Sequence, residues 1–194
     1  MLSAETLPGV WMREKTCCFT GHRTIPENRR TELAIRLQRE IRRAVTDGFR
    51  YFLCGGAVGF DMLAGEGVVL EKRVTPEIEL WLALPCRDQT MRWTRLSDLR
   101  AYQQLKGKAS WIGYASDFYN PTCMKERNRF MTEHAARCIA YYDGTIRSGT
   151  AQTVHLAEQN GVEVVNLYVS VNTLLCVLER LEPCLSGKVS KQFA

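Results

Sequence analysis

Short, almost wholly apolar runs alternate with stretches of helical periodicity along most of this chain, and that alternation narrows the choice of fold more than any other feature. Thr16–Thr20 (TCCFT), Tyr51–Cys54 (YFLC), Ile78–Leu84 (IELWLAL), Cys138–Tyr142 and Val162–Tyr168 are each of strand length, and Ser110–Ile112 is a further short candidate. A strand that is apolar on both faces belongs in a parallel sheet covered by helices on both sides. Between the runs, Leu33, Leu37, Ile41 and Ala44/Val45 recur at helical spacing, as do Phe60, Leu63, Ala64, Val68 and Val69. Gln89–Lys106 is helical in composition, a helix carrying Met124, Phe130 and Met131 follows Asn120-Pro121-Thr122, and two more cover Ser148 to Ala157 and Val171–Leu181. Thr24-x-x-Glu27 has the form of a capping box ahead of the first helix, with Pro26 inside the turn. Gly48 and Asn160-Gly161 are helix stops. The expected fold is α/β: a Rossmann-like, doubly wound, mainly parallel sheet with helices on both faces. With no linker, low-complexity segment or internal repeat, one domain is expected over residues 15–182, after a loose leader (1–14) and before a C-terminal tail (183–194).

Composition fits that reading. At 194 residues, with 45% hydrophobic and 24% charged residues, the chain matches an ordinary globular protein and excludes disorder. Its eight cysteines include no C-x-x-C pair and no Cys/His cluster of zinc-finger spacing, so reduced core thiols are expected and no metal site. The start, MLSAETLPGVWMREK, lacks the apolar core of a signal peptide, and no run approaches the ~18–20 apolar residues of a membrane span. A cytoplasmic protein without a membrane partner is therefore expected. Lys and Arg number 26 against 21 Asp and Glu, a net charge of +5 that suits an acidic small molecule as readily as a polymer.

In a doubly wound sheet, ligands bind beyond the carboxyl ends of the strands, where strand order reverses. Three strand ends carry unusual residues: Gly21-His22-Arg23, Gly55-Gly56-Ala57-x-Gly59-x-Asp61, and Asp143-Gly144 followed by Ser148-Gly149-Thr150. Glycine admits a ligand close to the backbone, and a helix N-terminus attracts an anion. Neither G-x-G-x-x-G nor G-K-[ST] is present, so the dinucleotide and P-loop fingerprints are not met. For each residue two readings are open. Arg23 is a phosphate clamp or a surface arginine. His22 is a general acid/base or a hydrogen-bonded turn residue. Asp61 complements the helix dipole or holds a ribose. Arg127 and Asn128 sit among Lys125, Glu126 and Arg129, which reads as a solvated charged face.

Together with Arg127-Asn128, Tyr142-Asp143-Gly144 and Ser148-Gly149-Thr150-x-x-Thr153, these motifs resemble the SLOG superfamily, named for the Smf/DprA DNA-processing proteins and the Lonely-guy phosphoribohydrolases, and within it the YspA-like branch of small bacterial proteins. The resemblance spans about Thr16 to Tyr168 and implies a sheet that binds nucleotides or nucleotide-derived molecules at its strand ends. It also implies that Arg127, in a segment similar to the Lonely-guy M-H-x-R, faces the ligand. Those enzymes carry P-G-G-x-G-T-x-x-E, and Thr153 stands here at the position of the catalytic glutamate, which a hydroxyl cannot replace. Three functions follow as expectations. The first is binding or sensing of a nucleotide or nucleotide-derived ligand, such as a nucleotide sugar or an ADP-ribose-like molecule. The second is hydrolysis of a nucleotide N-glycosidic or phosphate bond, with His22, Asp61 and Asp143 as candidate acid/base groups and no catalytic residue assigned among them. The third is single-stranded DNA binding, through the Arg29–Arg43 helix with Trp93 or Trp111 as stacking surfaces. Because Glu32, Glu40 and Asp47 dilute that helix and the net charge is mild, nucleic acid is not expected as a partner. No cofactor is expected, and the dimers common among related enzymes make a homodimer an expectation.

Overall fold

In the computed structural model, residues 1–9 and 11–169 are described; the expected helix at 171–181 and the tail lie outside them. The strands are β1 (Thr16–Gly21), β2 (Tyr51–Cys54), β3 (Glu79–Cys86), β4 (Trp111–Ser116), β5 (Arg137–Tyr141) and β6 (Glu163–Asn166). The helices are α1 (Glu27–Thr46), α2 (Phe60–Glu71), α3 (Leu96–Lys108), α4 (Cys123–Glu133) and α5 (Gly149–Gln159). All neighbouring strands are parallel, in the order β4-β3-β2-β1-β5-β6.

The buried runs occupy the centre of this sheet. In register, Cys18 of β1 lies between Leu53 of β2 and Cys138 of β5, all three inaccessible to solvent. One face packs against α1, α2 and α3 through Leu33, Leu37, Ile41, Phe60, Tyr102 and Leu105. The other packs against α4 and α5 through Phe130, Met131 and Ala157. The chain winds outward from β1 to β4, then α4 carries it back to place β5 beside β1. Strand order therefore reverses between β1 and β5, which fixes where a ligand crevice opens.

Several boundaries differ from the sequence reading. β3 runs through Pro85, because its pairing with β2 ends at Leu82 and no ladder bond on that side needs the missing N–H. α3 begins at Leu96, after turns over residues 87–92. The capping box does not form: Pro26 is the N-cap of α1, no side chain caps it, and Glu27 complements the helix dipole directly. The described part of residues 1–14, a segment expected to be loose, is fixed by irregular contacts that have no sequence period. Leu7 is buried, Leu2 N–H donates to the Tyr114 carbonyl (2.8 Å), and Trp111 Nε1 donates to the Thr6 carbonyl (2.8 Å). The segment thereby covers part of the β4 edge.

The six described cysteines are all buried and free. Burial pushes the Cys17 and Cys54 thiols far above their ordinary range, so both behave as small hydrophobes. No described helix is long and apolar enough to cross a membrane.

Candidate functional site

A cavity of about 250 Å³ opens at the reversal point. Thr20 to Arg23 enter it from the end of β1, Ala57 and Asp61 from the start of α2, Met124, Arg127 and Asn128 from α4, and Ser148, Gly149, Thr150 and Thr153 from α5.

Arg127 forms its floor. On α4 the buried positions are Cys123, Arg127, Phe130, Met131 and Thr132; the first four form one stripe at helical spacing, so Arg127 lies on the inner face and not on the solvated one with Lys125 and Arg129. Its guanidinium lies over Gly55, where a Cβ would coincide with Nη1. Arg127 Nη1 is 3.5 Å from Asp61 Oδ2, and each side chain is only 8% exposed. Asp61 Oδ2 also accepts the Ala57 N–H at 3.3 Å. Burial pushes the Asp61 carboxyl up, while Arg127, the Ala57 N–H and Arg23 pull it down; burial is the larger influence and the net direction is upward. Arg127 Nε is buried without a hydrogen-bond partner among the described residues.

The glycine turn after β2 is filled by the protein itself. Beyond Gly55 against Arg127, Gly59 has φ +85° and a Cβ there would strike the Arg23 carbonyl, while a Cβ on Gly56 would come within 2.8 Å of Leu84. The His22 carbonyl takes the Phe60 N–H at 3.1 Å. Gly55, Gly56 and Gly59 thus lie behind the cavity and shape its wall, and this turn offers no open anion cradle.

The other turn is open. Ser148 caps α5, its Oγ accepting the Ala151 N–H at 3.0 Å, and Thr153 Oγ1 donates to the Gly149 carbonyl at 2.9 Å. The N–H groups of Gly149 and Thr150 have no acceptor among the described residues. A Cβ on Gly149 would meet nothing within 4 Å. The free donors, the helix dipole and Arg127 therefore converge on one space.

Asp143 and Gly144 stand beside the cavity. His22 Nε2 is 2.8 Å from Asp143 Oδ1 and 3.1 Å from the Asp143 amide nitrogen. Hydrogen bonds from Thr145, and then His22, hold the Asp143 carboxyl below its ordinary range. Arg23 is exposed at the mouth and makes no ion pair among the described residues. The sequence reading did not single out Phe19, Thr20 or Met124, which also line the cavity. Thr20, next to Gly21 on β1, and Met124, three residues before Arg127, were legible only once those neighbours were placed. Neither tryptophan named as a stacking surface is free. Trp111 stacks on Phe130 with ring centres 6.2 Å apart, and Trp93 meets Tyr102 edge-on at 5.2 Å.

A family model described as the YspA SLOG family matches residues 25–170. A UPF0398 protein of Bacillus pumilus is 22% identical over 157 residues, covering 80% of this chain and 83% of the relative. The SPbeta prophage-derived protein YoqJ of Bacillus subtilis is 28% identical over 120 residues, covering 56% of this chain and 69% of YoqJ. Among solved structures, DNA processing protein A of Streptococcus pneumoniae superposes with a TM-score of 0.57 at 12% identity, over 86% of this chain; this chain spans 56% of that one. DNA processing protein A of Helicobacter pylori superposes with a TM-score of 0.59 at 18% identity, over 85% of this chain and 72% of that one. The Helicobacter protein is described by its single-stranded DNA binding mode. This corrects the expectation that nucleic acid is not a partner. Net charge sums over the whole surface, whereas a strand is held by local cations, so a balance of +5 does not bar this fold from such a ligand.

Proposed function

The chain belongs to the YspA SLOG family, and we propose that its cavity binds the phosphate-bearing part of a nucleotide or nucleotide-derived molecule. The observation that carries this reading is the convergence of the unpaired Gly149 and Thr150 N–H groups with the buried Arg127 guanidinium. Arg23 closes the mouth with a second positive charge. Asp61 holds Arg127 in place and does not reach for a ribose. At about 250 Å³ the space falls below the roughly 300–1,000 Å³ of sites for drug-sized ligands, so phosphate and sugar fit inside and a base projects outward.

Binding is favoured over N-glycosidic hydrolysis. Asp61, the carboxylate in the cavity wall, is committed to Arg127, and the Thr153 hydroxyl is committed to the Gly149 carbonyl. A second reading, single-stranded DNA as the source of the nucleotidyl group, is favoured by the fold shared with the DNA processing proteins.

The test is thermal stabilisation by a panel of nucleoside mono- and diphosphates. A ligand at 100 times its dissociation constant adds about 2.7 kcal/mol. We expect stabilisation by phosphorylated ligands, not by nucleosides, with the effect weakened in Arg23→Ala. Equal shifts with and without phosphate, or an undiminished shift in the variant, would contradict the proposal.

A further inference from the structure

We infer that the carboxyl edge of the sheet beside the cavity is a stacking track for a single-stranded nucleic acid, with Phe118 and Tyr119 as its base platform. The inference rests on the cavity holding a nucleotidyl phosphate and names the surface that would take neighbouring nucleotides of the same strand.

Phe118 is 75% exposed and Tyr119 55% exposed, in the loop between β4 and α4. Large aromatic side chains left in water on a floppy loop would carry little meaning, but this loop is tightly built. Ser116 Oγ donates to the Phe118 carbonyl (2.7 Å), and the Tyr119 N–H donates to Asp88 Oδ1 (2.8 Å). Asn120 Oδ1 accepts the N–H groups of Thr122 (2.9 Å) and Cys123 (2.8 Å), and Arg87 Nε donates to Asp117 Oδ1 (3.0 Å). The backbone is fixed while both rings face solvent, an arrangement that lowers the entropy cost of stacking a base. The loop leads directly into α4, whose Met124 and Asn128 line the cavity.

Charge selects the partner. Asp88, Asp117 and Asp143, in the loops at this edge, are engaged by the Tyr119 N–H, Arg87 and His22 respectively; in the first helical turns, Glu126 accepts the Thr122 hydroxyl, and Glu27 and Asp98 complement the dipoles of α1 and α3. Arg23, Arg92, Arg95, Lys125 and Arg147 are exposed there and make no ion pair among the described residues. Arg92 lies over the Tyr119 ring at 5.7 Å, which places a phosphate-seeking cation beside a stacking face. A polyanion with flat faces matches both features. A second copy of this chain would set like charges against one another across a two-fold axis.

The experiment measures binding of fluorescein-labelled dT12, and separately of dTMP, to the full chain and to the Phe118→Ala/Tyr119→Ala double variant. The wild-type chain is expected to bind dT12 more tightly than dTMP, with affinity that falls as salt rises. The double variant should lose at least about tenfold in dT12 affinity and keep its dTMP affinity. An unchanged dT12 affinity in the variant overturns the inference, as does dT12 binding no tighter than dTMP; in both cases the cavity reading stands if dTMP still binds. Failure of dTMP and dT12 alike overturns the cavity reading and the track with it. A wild-type dimer that the double variant abolishes, with dT12 binding unaffected, also overturns the track and assigns the patch to self-association.

Discussion

Arg127 and Asp61 concentrate the physics of this protein in two side chains. Each is almost wholly buried, and each leaves the other uncompensated if removed alone. Arg127→Ala is therefore expected to cost about 3–5 kcal/mol of stability, whereas Arg127→Met combined with Asp61→Leu should recover most of it, as measured by urea unfolding. Additive losses in the double variant would show that the two residues are not coupled. The same pair predicts a pH dependence. Because the folded protein holds a proton on Asp61 more tightly than the unfolded chain does, Asp61 contributes stability at low pH that is lost as pH rises from about 4 through the raised value. Measured from pH 4 to 8, the wild type should lose stability relative to Asp61→Asn across that window and level off above it. A difference independent of pH would contradict the upward direction assigned to this carboxyl.

At the scale of elements, the two glycine turns have different work to do although they look alike in sequence. The one after β2 is a packing device, and Gly59→Ala should destabilise the fold because φ +85° and the Arg23 backbone both oppose a side chain. The one before α5 is open, so Gly149→Pro provides a selective probe. Ser148 is already extended (φ −137°, ψ 157°), as a residue before proline must be, and proline is tolerated at the first helical position. The substitution removes one N–H from the cavity with little expected change in melting temperature. Affinity for a nucleoside monophosphate should nonetheless fall roughly tenfold or more, the usual worth of a hydrogen bond to a charged group. Calorimetric titration checks this, and unchanged affinity would remove the α5 N-terminus from the site. The sequence distinguishes these turns poorly, because what fills a glycine's empty face comes from elsewhere in the chain. Gly55 receives a guanidinium 72 positions away.

For the whole molecule, the parallel sheet was legible because the four buried strands, β1, β2, β3 and β5, read as continuous apolar runs, a pattern that survives without knowledge of partners. Boundaries were less so. Pro85 signalled a strand end, but its missing N–H falls where β2 has already stopped. The burial of Arg127 had a readable signal in the spacing of Cys123, Phe130 and Met131, masked by its three charged neighbours Lys125, Glu126 and Arg129. The N-terminal segment had none, being held by single hydrogen bonds and by Leu7. Net charge pointed away from nucleic acid because it averages over surfaces, whereas five cations without ion-pair partners among the described residues collect at one edge of the sheet.

Residue pair, glycine turn and sheet reversal all serve one proposed feature, a phosphate site formed by the α5 N-terminus and Arg127. The most direct measurement is a nuclear magnetic resonance titration of the ¹⁵N-labelled chain with a nucleoside monophosphate, following the backbone amides of Gly149 and Thr150 and the Nε–H of Arg127. These three resonances are expected to move together and saturate at one ligand equivalent bound, while the unphosphorylated nucleoside leaves them in place. Saturable shifts that bypass Gly149, Thr150 and Arg127, or equal shifts from the nucleoside, would contradict it.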